Sequence, residues 1–145
     1  MARSSWMAIA VVFALVGSSF AADPIGRVKI ATGTASLSHA GQSTPLRVGD
    51  PIWLNDTIAT AADGSVGVTF TDQTRMSIGP NTRMAIDQYA FNPAEKDLSF
   101  VTRVSQGTLY YVSGMIAKLS KDKVAVATPE GTIGIRGTRF LVKVD

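Results

Sequence analysis

Apolar and polar residues alternate with a period of two along most of this 145-residue chain. Val66, Val68 and Phe70 share one parity while Gly67 and Thr69 take the other, and Met76 with Ile78, Met84 with Ile86, Leu109 with Tyr111, Val124 with Val126 and Ile133 with Ile135 repeat the device. That period suits strands with one face buried. At the C-terminus Phe140, Val142 and Val144 fall on one face and Arg139, Leu141 and Lys143 on the other, so Leu141 predicts partial cover on the second face. Between the runs stand Gly49-Asp50-Pro51, Asp63-Gly64, Gly79-Pro80-Asn81 and Asn92-Pro93. These pair residues that tolerate positive φ with prolines that cannot donate to a ladder. No window sustains the three- and four-residue apolar spacing of a long helix; one helical turn is expected at Ala94 to Asp97, after Pro93. The elements predict an all-β fold, a single compact domain of short, mostly antiparallel strands, sandwich or barrel-like.

One internal echo occurs: TRMSIGPN (74–81) is followed at once by TRMAIDQY (82–89). Eight residues are too few for a familiar solenoid coil, whose repeats run to about 20 or more. The echo therefore reads as two adjacent strands about the Gly-Pro-Asn turn that present Met and Ile to the same core. A β-helical stack is the alternative, and the two differ in whether the paired strands run antiparallel.

The first residues break the pattern. Arg3 and the amino terminus precede an apolar run from Trp6 to Val16, then small residues at Ser19 and Ala21. This order matches a secretory signal peptide over residues 1–21, with a short helix as its apolar part and cleavage after Ala21. The run is well short of the roughly 20 residues needed to span a bilayer, so no stable membrane span is expected after cleavage. Residues 22–145 are then one domain, long enough to bury about two-thirds of the surface exposed by its unfolded chain. With no cysteine in the chain, an export route adds no disulfide and allows no thiolate chemistry.

Without Arg3 the basic residues number one fewer than the full chain's 14, against 11 acidic ones. They are spread along the sequence, and the small local group Lys118, Lys121 and Lys123 reads as a solvated turn, with contact to an anionic surface as its alternative. A nucleic-acid partner is not expected from that spread. His39 is the only histidine and lies in polar SLSHAGQ, where an exposed loop position is expected. No sequence neighbour supplies the nucleophile and orienting carboxylate of a triad. Asp50, Asp56 and Asp63 lack the ligand spacing of a calcium loop, and turn formation accounts for Asp50 and Asp63. Glu95 and Glu130 sit beside prolines in turns, where a carboxyl group is solvated and ionised. The expectation is a non-enzyme with no cofactor and no metal.

The stretch ATPEGTIGIRGTRFLV (127–142) spaces Gly131, Gly134 and Gly137 three apart. No helix follows that could receive a phosphate, so the glycines are expected to serve the sheet, as a bulge, a bend or a close backbone approach. Arg136 carries a rigid fork of donors; it reads as a structural arginine bridging turns, with a ligand-facing role as the alternative.

Three strings, VGDPIWLNDTIAT, SVGVTFTDQTRMSIGPNTRMAI and QGTLYYVSGMIAKLSKDKVAVATPEGTIGIRGTRF, together resemble the FecR domain, a bacterial extracytoplasmic family, over about residues 27–144. The signature positions are Gly49, Asp50, Thr60, Gly79, Pro80, Gly107, Thr128, Pro129, Gly134, Arg136, Gly137, Thr138 and Phe140. Two departures occur: Asp72-Gln73 stands where the family's usual pair is Asp-Gly, making the tight turn there less secure, and Glu130-Gly131 stands where small residues are common. The resemblance implies an envelope protein. Its name-giving members are membrane-spanning regulators whose cytoplasmic segment holds a sigma factor and whose periplasmic part hears from an iron-siderophore receptor. With five residues ahead of the apolar run and an end at Asp145, this chain is expected to lack both the sigma-factor-binding segment and the receptor-sensing subdomain.

The reading that follows is a periplasmic or secreted binding module, meeting an envelope protein partner in signalling or assembly, with exposed sheet edges as its mode of contact. Tyr89 and Phe91 are candidate contact residues, although their shared parity also fits a cap on the core. The alternative is a domain for glycan or peptidoglycan, with Trp53, Tyr110 or Tyr111 as stacking platforms. A hydrolase stands third.

Overall fold

The computed structural model describes residues 23–135 and 138–145. Signal residues 1–21 therefore lie outside the described residues, as do Arg136 and Gly137. Twelve strands form among the described residues: β1 (Gly26–Thr32), β2 (Ala35–His39), β3 (Gln42–Pro45), β4 (Pro51–Ile52), β5 (Thr57–Thr60), β6 (Ser65–Phe70), β7 (Arg75–Ile78), β8 (Arg83–Asn92), β9 (Asp97–Val112), β10 (Val124–Thr128), β11 (Gly131–Gly134) and β12 (Arg139–Val144). One short helix, α1 (Met115–Leu119), links β9 to the last three strands.

The strands make one curled sheet in the order β3-β2-β5-β8-β9-β7-β6-β1-β4. Strand β9 explains the curl. Its first part, up to Gln106, pairs with β8, and its last part, from Gly107, pairs with β7 and β12. Gly107 lies between the two with φ +94°, a conformation that turns the strand from one layer into the other. The layers close on a single core. Val28, Val66, Val68, Phe70, Met76 and Ile78 face it from one side, and Leu37, Ile58, Met84, Ile86, Val104 and Val126 from the other. Phe100 joins them at its centre, edge-on to Phe70 at 4.9 Å, to Tyr89 at 4.8 Å and to Tyr111 at 6.0 Å between ring centroids.

The all-β expectation holds, and the alternation places its apolar members inward. The echo needs correction in its geometry. β7 and β8 bury Met76, Ile78, Met84 and Ile86 in one core, yet they do not pair with each other. Both run antiparallel to β9, so they are successive lengths laid in the same direction along one partner, joined by Gly79–Thr82. Among the described residues pairing is antiparallel except between β9 and β10.

Two apolar residues at the C-terminal end are misplaced by alternation alone. Leu141 is 63% exposed, so the partial cover expected there is not supplied by the described residues, and Ile133 is 43% exposed on β11. A 3-10 turn forms at Pro93–Glu95, overlapping the helical turn expected at Ala94 to Asp97 but starting one residue earlier, at Pro93 itself. α1 was not anticipated: five residues are too few for periodicity to mark, and it is held by Ile116 and Ala117 buried against the core.

Candidate functional site

Four of the signature residues meet where the sheet bends. The Thr60 hydroxyl donates to the Gly79 carbonyl at 2.6 Å and accepts from the Thr82 amide at 3.0 Å. The Thr82 hydroxyl donates to the Pro80 carbonyl at 3.1 Å and accepts from the Thr108 amide at 3.0 Å, beside Gly107. Thr60, Gly79, Pro80 and Gly107 thus tie β5, the turn before β8 and the bend of β9 into one buried knot. Thr82 is its centre, and the sequence did not single it out.

A second knot lies under α1. Asp72 is fully buried, and its carboxylate accepts from the Thr74 amide at 3.1 Å, the Thr74 hydroxyl at 2.8 Å and the Ile116 amide at 3.2 Å. Its carbonyl accepts from the Met115 amide at 2.7 Å, and its amide donates to the Tyr89 hydroxyl at 3.0 Å. The turn feared insecure at Asp72-Gln73 is intact, because Gln73 itself takes a positive φ of 73°. That strain, about 1–2 kcal/mol for a residue with a side chain, is offset by the bonds converging on Asp72. Burial, with the Asp72 charge as a lesser cause, pushes the Tyr89 phenol up to about 12 and the Tyr111 phenol higher still.

The third group is open to solvent. Nδ1 of His39, at the end of β2, shares a hydrogen bond of 2.5 Å with Asp56, whose side chain is 2% exposed. The other Asp56 oxygen accepts from the Trp53 amide at 2.8 Å, and the His39 ring lies 4.6 Å from the Trp53 ring. His39 is 48% exposed. The expected exposure holds, but it sits on a strand and is paired to a carboxylate, so the expected loop position is corrected. Leu37, His39, Gln42, Thr44, Asp50, Pro51 and Trp53 line a cleft of about 250 Å³ here. The β2–β5 register that brings His39 toward Asp56 joins residues far apart in sequence, which hid the pair from sequence reasoning. Among the described residues no hydroxyl is bonded to its Nε2. No cluster of three or more His, Asp or Glu able to hold a metal occurs among them either.

The remaining candidates separate. Asp50 accepts from the Arg47 amide at 2.8 Å and, with Gly49, closes the turn before β4. The Thr128 hydroxyl donates to the Gly131 carbonyl at 2.9 Å across the turn at Pro129. Gly131 and Gly134 lie on β11 with open space where a Cβ would point, so of the expected roles a close backbone approach is ruled out at these two, while Gly131, with φ +149°, serves the turn between β10 and β11. The Thr138 carbonyl accepts from the Ser113 amide at 2.8 Å, and Phe140 stacks on Tyr111 at 4.7 Å. Tyr89 and Phe91 lie on β8, partly buried and packed against the core; their polar sequence surroundings had suggested a loop. Tyr111 is buried and is no stacking platform, whereas Tyr110 is 40% exposed.

Residues 56–145 match the family described as FecR protein. The chain belongs to the FecR family. The match starts at Asp56, so β1 to β4 and the Gly49-Asp50 turn precede it, although β1 pairs with β6 over six registered positions. One solved structure, described as a cell surface anchoring domain, is 33% identical over 43% of this chain and 83% of its own, with a TM-score of 0.41. No curated protein matches. No helix among the described residues is long and apolar enough to cross a membrane.

Proposed function

We propose that this FecR-family chain is an exported, non-enzymatic interaction module of the bacterial envelope, periplasmic or secreted, that receives a protein partner by strand addition at β11. The observation carrying this is a contrast among the sheet edges. β3 contains Pro45, β4 contains Pro51, and β12 carries Arg139 and Lys143. Proline and charge are the usual means of blunting an edge. β11 has neither, is exposed at all four residues, and among the described residues pairs only with β10. A partner strand there would gain main-chain hydrogen bonds, with Ile133 supplying an apolar contact.

A photo-crosslinking residue at Thr132 is expected to capture a partner in intact envelopes. Ile133→Lys should weaken that capture about tenfold or more, equivalent to about 1.4 kcal/mol, without altering the far-UV CD spectrum. Undiminished capture by a folded Ile133→Lys chain would refute strand addition at this edge.

The His39–Trp53 cleft favours a second reading, a glycan or peptidoglycan site. An aromatic wall, the Gln42 amide, the Thr44 hydroxyl and the Asp50 carboxylate are the groups that meet the apolar face and the hydroxyls of a pyranose. Trp53→Ala should reduce retention on purified sacculi about tenfold, as expected for losing a ring contact worth about 1.5 kcal/mol. Retention equal to that of an unrelated protein, before any substitution, removes this reading.

A further inference from the structure

Five basic residues scattered in sequence, Arg27, Lys29, Arg75, Arg139 and Lys143, lie on the layer built from β1, β6, β7, the end of β9 and β12. Register places Arg27, Thr69, Arg75, Val112 and Arg139 in one row across these five strands. The neighbouring outward row reads Ile30, Gly67, Ser77, Tyr110 and Leu141. Its large members are open to water: Ile30 is 59% exposed, Tyr110 40% and Leu141 63%. At ~4.8 Å per strand, each row extends about 19 Å.

Three adjoining depressions on this face are lined by Arg27, Lys29, Arg75, Lys118 and Arg139, with no carboxylate in any of them. A fourth, beyond Leu141, contains Glu130 with Lys143. Among the described residues Lys29, Arg75 and Arg139 make no ion pair or side-chain hydrogen bond. Arg27 donates once, to the Gly49 carbonyl at 3.2 Å. The chain's basic and acidic totals nearly balance, so this is segregation of charge and not a general excess.

We propose that this face lies against an anionic phospholipid bilayer. Charge complementarity requires a negative occupant, and the form of the surface selects among negative occupants. The cations are unclamped side chains spread over a broad sheet face, a match for an array of mobile phosphate headgroups. A folded acidic partner would instead meet them with carboxylates at set positions. The apolar side chains project singly, with glycine and serine between Ile30 and Tyr110, so they enter a soft interface as separate anchors. Tyr110 adds an apolar ring with a polar end, the chemistry found at headgroup level. Met115, 39% exposed at the margin beside Lys118, extends the same combination. The row of Arg27, Arg75 and Arg139 is separate from the His39–Trp53 cleft, and the face meets the β11 edge only at Leu141, which shares a depression with Ile133, so the Arg75→Gln with Arg139→Gln arm of the test does not depend on either.

The chain from Ala22 onward, which carries every described strand, is to be sedimented with vesicles of phosphatidylcholine alone and of phosphatidylcholine with phosphatidylglycerol. Binding is expected only to the anionic vesicles, and it should fall steeply with added salt. Each surface cation contributes about fivefold to such binding, so Arg75→Gln with Arg139→Gln should weaken it about 25-fold. Leu141→Ser should weaken it further, with far-UV CD unchanged in both variants. Soluble polyglutamate should compete poorly. No binding to anionic vesicles, or equal binding by the folded double variant, overturns the proposal. So does full competition by polyglutamate together with no effect of Leu141→Ser, a result that would assign the face to an acidic polypeptide.

Discussion

Asp72→Ala is expected to lower the unfolding free energy by about 3–5 kcal/mol, the range for removing one member of a buried, charged hydrogen-bond group. The carboxylate accepts from two amides and the Thr74 hydroxyl, and from the Tyr89 hydroxyl at 3.5 Å, and the alanine variant leaves these donors without their acceptor in a buried site. The shortened side chain adds a cavity beneath α1. A domain of this size is stable by about 5–15 kcal/mol in total, so the variant gives up a large share. Asp72→Asn should fall between the two proteins, since it keeps one oxygen acceptor but aims an amide donor at groups that are themselves donors. Urea unfolding followed by far-UV CD checks the ranking. Hydrogen exchange should accelerate first at the amides of Met115 and Ile116, which both bond to Asp72. A loss below about 1 kcal/mol for the alanine variant would mean that the carboxylate is no organising centre.

Asp72 also marks the boundary of what the sequence made legible. Alternation identified the strands because each has one wet and one dry face, and Val66, Val68 and Phe70 show how directly that period translates into burial. The turn residues were legible for an equally local reason, since the Asp50 side chain bonds a backbone amide three residues away. Pairing was not local. The Ile116 amide meets Asp72 across 44 residues, and His39 meets Asp56 only through the register of two strands. The cationic face is the same kind of fact, because Arg27, Arg75 and Arg139 fall into one row only when β1, β6, β7, β9 and β12 are aligned. Signature glycines misled in a different way. Spacing cannot tell a glycine that another backbone crowds from one that lies on an open edge, and this chain contains both kinds.

That distinction gives a comparison with a large expected difference between two substitutions of the same type. Gly107→Ala should cost more than about 4 kcal/mol or prevent folding, because several penalties of known size coincide. Its φ of +94° is strained for any residue with a side chain, and the added Cβ would lie 2.2 Å from the Thr82 hydroxyl oxygen and 2.4 Å from the Thr82 Cα. A rotamer change relieves the first contact and leaves the second, so the backbone of Thr82 must move. That movement breaks the bonds from the Thr82 amide to Thr60 and from the Thr108 amide to Thr82, and with them the connection between the two layers. Gly134→Ala, at another signature glycine, meets nothing within 4 Å and needs no positive φ. It should change stability by no more than about 0.5 kcal/mol. Chemical denaturation of the pair measures the gap directly. Near-equal midpoints would show that the sheet can turn at Gly107 without glycine, and the account of the curl as a bend fixed by Thr60, Thr82 and Gly107 would then fail.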